Sequence, residues 1–363
     1  MRSIHLTISI LVFTGMLISS CTGKGKQLIT EEIMTGWEFR QAGTQNWYPA
    51  EVPGCVHTDL LNNKQIEDPF YRMNEKDFQW IDKKDWEYKV VFTPGALLQK
   101  KKHKKIVFKG LDTYADVYLN DSLILKAENM FREWKADISG LLKEGTNEIR
   151  IYFHSPIKVG LEKLENNGYP LPAVNDYSEI GGMGDKRVSI FIRKAPYHFG
   201  WDWGPRFVTS GIWRPVELQG WDEAKMEDLF IRQDHITKEE AEITALFTIY
   251  SEKDMPAMLC ISDNDLRQVL GTREVQLKRG YNTFDIPIKI SNPHLWWSHG
   301  LGEPNLYSFK GSLLRGNVLL DDRLVITGLR DIKLIRKKDA DGQGESFYFQ
   351  LNGVPVFMKG ANY

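Results

Sequence analysis

The sequence predicts an all-β chain built from two successive antiparallel sandwiches. Two observations carry that expectation, and a third bounds the partners. Short alternating apolar runs recur between turn residues, and few windows keep a 3.6-residue apolar period. Aromatic residues reach 12% of the 363 residues, with 11 Trp, 14 Tyr and 18 Phe, a bias toward strands and toward surfaces that can stack on a flat ring. Lys+Arg 47 against Asp+Glu 48 leaves a net charge of -1, which gives no electrostatic case for a nucleic-acid partner.

The elements follow in order. Met1-Arg2 precedes an apolar run from Ile8 to Ile18, too short for a membrane-spanning helix of about 20 residues and suited to a signal-peptide core. Leu17-Ile18-Ser19-Ser20-Cys21 resembles a bacterial lipobox, so residues 1–21 read as a lipoprotein signal peptide with Cys21 as the lipidated residue. A plain secretory peptide with a chance cysteine is the alternative. Residues 22–27 read as a tether, and the protein as an exported periplasmic or outer-membrane lipoprotein of a Gram-negative bacterium.

Residues 28–221 then show strand-like runs at Trp86–Phe92, Ile106–Phe108, Ala115–Leu119, Leu123–Leu125 and Asn147–Phe153, with Asn120-Asp121 marking a turn. A second set at Leu229–Ile231, Ala245–Tyr250, Ala257–Ile261, Thr283–Ile288 and Tyr307–Phe309 gives residues 222–334 the size of an immunoglobulin-like sandwich. Phe347–Leu351 and Val354–Met358 flank Asn352-Gly353, a hairpin signal, and the chain then stops at Tyr363 as though a further element were cut away.

Generic catalytic signatures are missing: the sequence holds no P-loop, dinucleotide fingerprint, G-x-S-x-G elbow or H-E-x-x-H. Three cysteines cannot build a disulfide framework, and no pair has zinc-ligand spacing. His294 and His299 make weak metal spacing, so no metal site is expected. The basic run from Lys100 to Lys105 reads as a solvated hairpin tip, with an anionic-polymer patch as the alternative.

The strongest local feature is Tyr197-His198-Phe199-Gly200-Trp201-Asp202-Trp203-Gly204-Pro205-Arg206. Glycines and a proline make it a loop. It could present Asp202 to sugar hydroxyls while Trp201 or Trp203 stacks on the ring. Equally, both tryptophans could pack beneath the loop while Asp202 pairs with Arg206.

At these residues the chain resembles the β-mannosidase branch of the glycoside hydrolase family that also holds β-galactosidases and β-glucuronidases (family 2). Matching stretches are residues 52–61 (Val52-Pro53-Gly54 through Leu61), Phe108–Thr113, Val117–Asn120, Ile192–Ala195, Phe199–Arg206, Ser210–Val216, Leu295–Trp297, Gly328–Arg330 and Lys359–Tyr363. The resemblance implies a jelly-roll, galactose-binding-like domain, an immunoglobulin-like sandwich, and at residues 335–363 the start of a truncated (β/α)8 barrel. It also implies terminal β-D-mannose hydrolysis by a retaining two-glutamate mechanism, with both catalytic glutamates beyond Tyr363 and therefore no catalytic residue in this chain. Asp202, Trp201, Trp203 and Asn362 would contact a β-mannoside or manno-oligosaccharide. No cofactor is implied, since paired carboxylates need neither metal nor nucleotide. A free-standing carbohydrate-binding lipoprotein, anchored through Cys21, is the rival reading.

Overall fold

The computed structural model describes residues 26–202 and 204–360. The expectations placed on Cys21, Trp203 and Asn362 lie outside the described residues. The chain divides into two compact units, one spanning Leu28–Asp222 and the other Glu223–Tyr363 together with residues up to Gln27.

In the first unit the strands are β1 (Ile29–Glu32), β2 (Trp37–Gln41), β3 (Tyr48–Pro49), β4 (Trp86–Phe92), β5 (His103–Phe108), β6 (Tyr114–Leu119), β7 (Ser122–Glu128), β8 (Trp134–Asp137), β9 (Asn147–His154) and β10 (Val216–Trp221). They form a six-stranded sheet, β3-β2-β4-β9-β6-β7, and a four-stranded sheet, β1-β10-β5-β8. Neighbouring strands within both sheets pair antiparallel. Strand β9 shows why: its residues alternate strictly between buried and half-buried, so Ile149, Ile151 and Phe153 enter the core while Arg150 and Tyr152 face outward. Those residues join Trp37, Phe39, Tyr88 and Phe108 in one apolar core. Asn120 and Asp121 take positive φ (48° and 66°), the left-handed pair that a two-residue β6–β7 hairpin requires.

Four short helices decorate this sandwich: α1 (Val56–Asn62), α2 (Asn74–Asp77), α3 (Ala96–Gln99) and α4 (Pro156–Asn167). Helix α4 was not expected, yet its signals are present. Ser155 caps its start by accepting from the Lys158 N–H (3.1 Å), Pro156 opens the first turn, and Gly168 ends it at φ 78°. Ile157 from α4 joins Tyr114, Val188, Ile192, Phe199 and Val208 in a small satellite core. That cluster underlies the long irregular connection to β10.

The second unit pairs β11 (Ala224–Ile236), β12 (Glu240–Ser251) and β15 (Gly280–Ser291) in one sheet. Strands β13 (Met255–Asp263), β14 (Gln268–Leu277), β16 (Tyr307–Arg315) and β17 (Val318–Thr327) form the other, over a core that includes Phe247, Leu259 and Phe309. Strands β18 (Ile332–Ile335), β19 (Tyr348–Leu351) and β20 (Val354–Val356) make a third, antiparallel sheet. Asn352 and Gly353, at φ 50° and 82°, close the expected hairpin. Both units are therefore all-β sandwiches.

Lys359 and Gly360 have no regular structure. Two local expectations need correction. Lys26 and Gln27, taken as part of a free tether, are tied down. Lys26 pairs with Asp322 at 2.7 Å and with the buried Asp321 at 3.4 Å, while the Gln27 N–H donates to Leu319. The basic run is not a bare solvated tip either. Lys101 bridges Asp222 at 2.8 Å, His103 stacks on Trp221, and the Lys105 ammonium lies 5.5 Å from the same ring. The aromatic partner comes from β10, more than a hundred residues downstream, where no local reading could find it.

Candidate functional site

The Trp-Asp-Trp loop is held at both ends and open at its tip. A short 3-10 turn, Pro196–Phe199, leads in, and Phe199 is sunk completely in the satellite core. Gly200 follows at φ 110°, and a Cβ there would lie 2.6 Å from the Tyr177 ring, so only glycine lets the chain pass. Trp201 and Gly204 then exchange two backbone hydrogen bonds, each 3.2 Å, which closes a two-residue turn with Asp202 as its first corner residue. Asp202 is exposed and Trp201 half-buried.

Arg206 anchors the outgoing end. Its guanidinium is fully buried, and Nη1 donates to Asp82 Oδ2 at 2.5 Å and to Gln79 Oε1. Gln79 Nε2 returns a bond to the Arg206 carbonyl (2.8 Å), and the Arg206 N–H donates to Glu75 Oε1 (2.7 Å). Burial pushes the Asp82 carboxyl above its ordinary range, against the pull of Arg206. The alternative in which Arg206 pairs with Asp202 is thereby overturned: the guanidinium is buried against Asp82, while Asp202 is exposed.

A second buried network anchors the incoming end. Lys194 Nζ lies 2.6 and 2.5 Å from the two Asp112 carboxylate oxygens, with the lysine side chain fully buried and the aspartate 2% exposed. Thr209 Oγ1 donates to Asp112 (2.7 Å) and sits 3.0 Å from His198 Nδ1. A hydroxyl has one proton, so with that proton on Asp112 the His198 ring must carry its own on Nδ1. Burial opposes ionisation of Asp112, but the Lys194 charge, with His198 and the hydrogen bonds, outweighs it and holds the carboxyl below its ordinary range. His198 is lowered to about 4, by burial first and then by Lys194.

His57, on α1, belongs to the same neighbourhood. Burial, reinforced by Lys194 and His198, lowers it to about 3, and its Nδ1 has no hydrogen-bond partner. Unfolded, this imidazole takes a proton near pH 6.5; folded, it refuses one until about pH 3. Its contribution to stability is therefore complete above pH 6.5 and shrinks as pH falls, by about 2 kcal/mol at pH 5. A His57→Leu variant is expected to lose less stability than the parent between pH 7 and pH 5 by that amount, measured by urea unfolding. Identical pH slopes in the two proteins would contradict the assignment.

Asp202, Trp201, Tyr177, Phe70, Arg72 and Glu75 share the wall of a depression of ≈ 310 Å³. Phe70 is 74% exposed and meets Phe207 edge-on at 5.4 Å. Trp201 also walls a neighbouring hollow of ≈ 590 Å³ with Asn175 and Arg193. The arrangement offers one free carboxylate beside aromatic faces, the equipment for binding a sugar ring. Among the described residues no cluster of three or more His, Cys, Asp or Glu is placed to hold a metal, His294 and His299 included. Sequence reasoning singled out Asp202 and Trp201 but missed Asp82, Asp112, Lys194 and His57 as the framework behind them.

Comparison with known proteins bears on the family of the chain. Residues 37–214 match the family described as glycosyl hydrolase 2 galactose-binding domain-like, and residues 224–330 match glycosyl hydrolases family 2. The β-mannosidase of Bos taurus is 30% identical over 96% of this chain and 40% of its own length. β-Mannosidase B of Aspergillus oryzae is 32% identical over 91% of this chain and 38% of its own. The crystal structure of β-D-mannosidase from Dictyoglomus thermophilum superposes with a TM-score of 0.82 at 36% identity, over 92% of this chain and 40% of that one. The chain thus spans about 40% of the length of these relatives. With both sandwiches matched along their length, it belongs to glycosyl hydrolase family 2.

Proposed function

We propose that this chain is the substrate-contacting front portion of a β-mannosidase, which removes terminal non-reducing β-D-mannose from β-mannosides. The observation that carries the reading is the exposed Asp202 on a turn fixed by two buried ion pairs. In this reading Asp202 accepts hydrogen bonds from mannose hydroxyls, and Trp201 walls the sugar. The retaining reaction needs two carboxyl groups about 5 to 5.5 Å apart, one as nucleophile and one as acid/base. The depression holds Glu75 besides Asp202, but Glu75 is committed to the Arg206 N–H. The family resemblance assigns both glutamates to a catalytic barrel outside these residues.

The 363-residue polypeptide is expected to show no turnover of 4-nitrophenyl β-D-mannoside above buffer. A polypeptide continued through the downstream reading frame is expected to hydrolyse it in preference to the β-galactoside and β-glucuronide. Turnover by the shorter chain would overturn the placement of the glutamates. A preference for galactoside or glucuronide would overturn the mannoside reading, and a stop codon followed by unrelated sequence would favour the free-standing binding module.

A further inference from the structure

A second depression of ≈ 430 Å³ in the first unit shares Ile180 with the Asp202 depression and is lined by Lys76, Lys83, Lys84, Trp80 and Asp77. Its volume falls within the range of small-ligand pockets, about 300–1,000 Å³. Helix α2 separates the two chemically, since its Glu75 lines one and its Lys76 the other. The lining thus contributes three lysines, one aspartate and one indole.

These lysines are not balanced by the protein. Among the described residues none of the three forms an ion pair, whereas the buried Arg206 and Lys194 each do. Lys83 is the informative one because it is half-buried. The carboxylate whose field it shares, Asp82, is buried and already bonded to Arg206 at 2.5 Å. The Lys83 Nζ lies against Gly182, 3.3 Å from where a Cβ would stand, and Gly182 sits at φ 67°. A half-buried lysine without an ion pair of its own leaves its ammonium available to an anion. Beside it Trp80 is 37% exposed and braced from behind by Trp86, with ring centroids 6.1 Å apart. An indole face next to an ammonium cluster matches a pyranose that carries a negative substituent: the ring stacks on Trp80 and the anion meets Lys83 and Lys84.

We infer that this depression is a binding site for an acidic sugar residue, a pyranose bearing a carboxylate or phosphate, distinct from the contacts of Asp202. The inference does not rest on the mannoside assignment, and its test is a binding measurement. Isothermal titration of the 363-residue chain compares mannotetraose with tetramannuronate, which share the β-1,4-linked backbone and differ in charge. Mannobiose phosphorylated at C6 tests the other anion. At low salt an acidic probe is expected to bind at least about tenfold more tightly than its neutral counterpart, with the advantage falling as salt screens the lysines. The Lys83→Ala/Lys84→Ala variant is expected to erase that advantage. A Lys278→Ala/Lys289→Ala variant, which removes the same charge from the second unit at exposed positions, is expected to keep it. Melting curves of both variants check that each is folded. Preference for either acidic probe, lost only in the first variant, supports the site. Equal binding of charged and neutral probes, survival of the preference in the first variant, or its loss in both, overturns it.

Discussion

Replacing Lys194 by methionine is expected to destabilise the first unit by about 3–5 kcal/mol, the cost of leaving a buried charge without its partner. Burial sets the size of that cost. Lys194 has no exposed side-chain surface and Asp112 has 2%, so water cannot replace the lost ammonium. Three other donors reach the carboxylate or its neighbours, from Thr113, Thr209 and His198, and all are neutral. They solvate the carboxylate without cancelling its charge. A surface pair offers the contrast: Lys278 and Asp254, 70% and 56% exposed, should contribute little, because water screens both charges.

Urea unfolding followed through both transitions separates the first unit from the second. The double variant Lys194→Met/Asp112→Asn should recover part of the loss, because it removes the stranded charge as well as the cation. A single-variant loss below about 1 kcal/mol, or a double variant no better than the single, would show that the pair is not what holds the network together.

That network also marks what the sequence could and could not reveal. Strands β4, β9 and β12 were legible because burial of one face enforces alternation, whereas β2 and β10 alternate too and were not singled out. Strand β14 was missed because Gln268–Glu274 is mostly exposed or half-buried, which removes the apolar beat. The helix α4 was missed for a different reason. Its start and stop residues were present, but only Pro156, Ile157 and Gly160 are buried, too few to write a stripe.

The candidate site divides in the same way. Asp202 and Trp201 stand in one loop and could be found by composition. Asp112, Lys194, His57 and Arg206 each lie within a stretch that resembles the family, yet their partnerships are long-range: Lys194 finds Asp112 across 82 residues, and Arg206 finds Asp82 across 124. A sequence read locally assigns Arg206 to the nearest carboxylate, Asp202, whereas the fold brings a buried one closer. Cost decides the matter, since a guanidinium with no exposed surface must be paired inside the protein, while an exposed Asp202 is already solvated.

The exposed carboxylate leads to the second large effect. In a β-mannosidase that carries these domains together with its barrel, Asp202→Asn is expected to lower kcat/KM on an aryl β-mannoside by about 10- to 150-fold. That range corresponds to losing one hydrogen bond to a charged group, worth about 1.5–3 kcal/mol. Asparagine keeps the size and one acceptor oxygen, so the loss reports charge rather than shape. Because Asp202 lies at the open corner of its turn, the melting temperature should stay unchanged. Arg206→Met should instead lower both activity and melting temperature, since it releases the loop and strands Asp82 in the core. The two variants therefore separate a group that touches substrate from one that positions it. A fall of less than about threefold for Asp202→Asn, with Arg206→Met still impaired, would mean that the loop serves only as packing and that the sugar is recognised elsewhere.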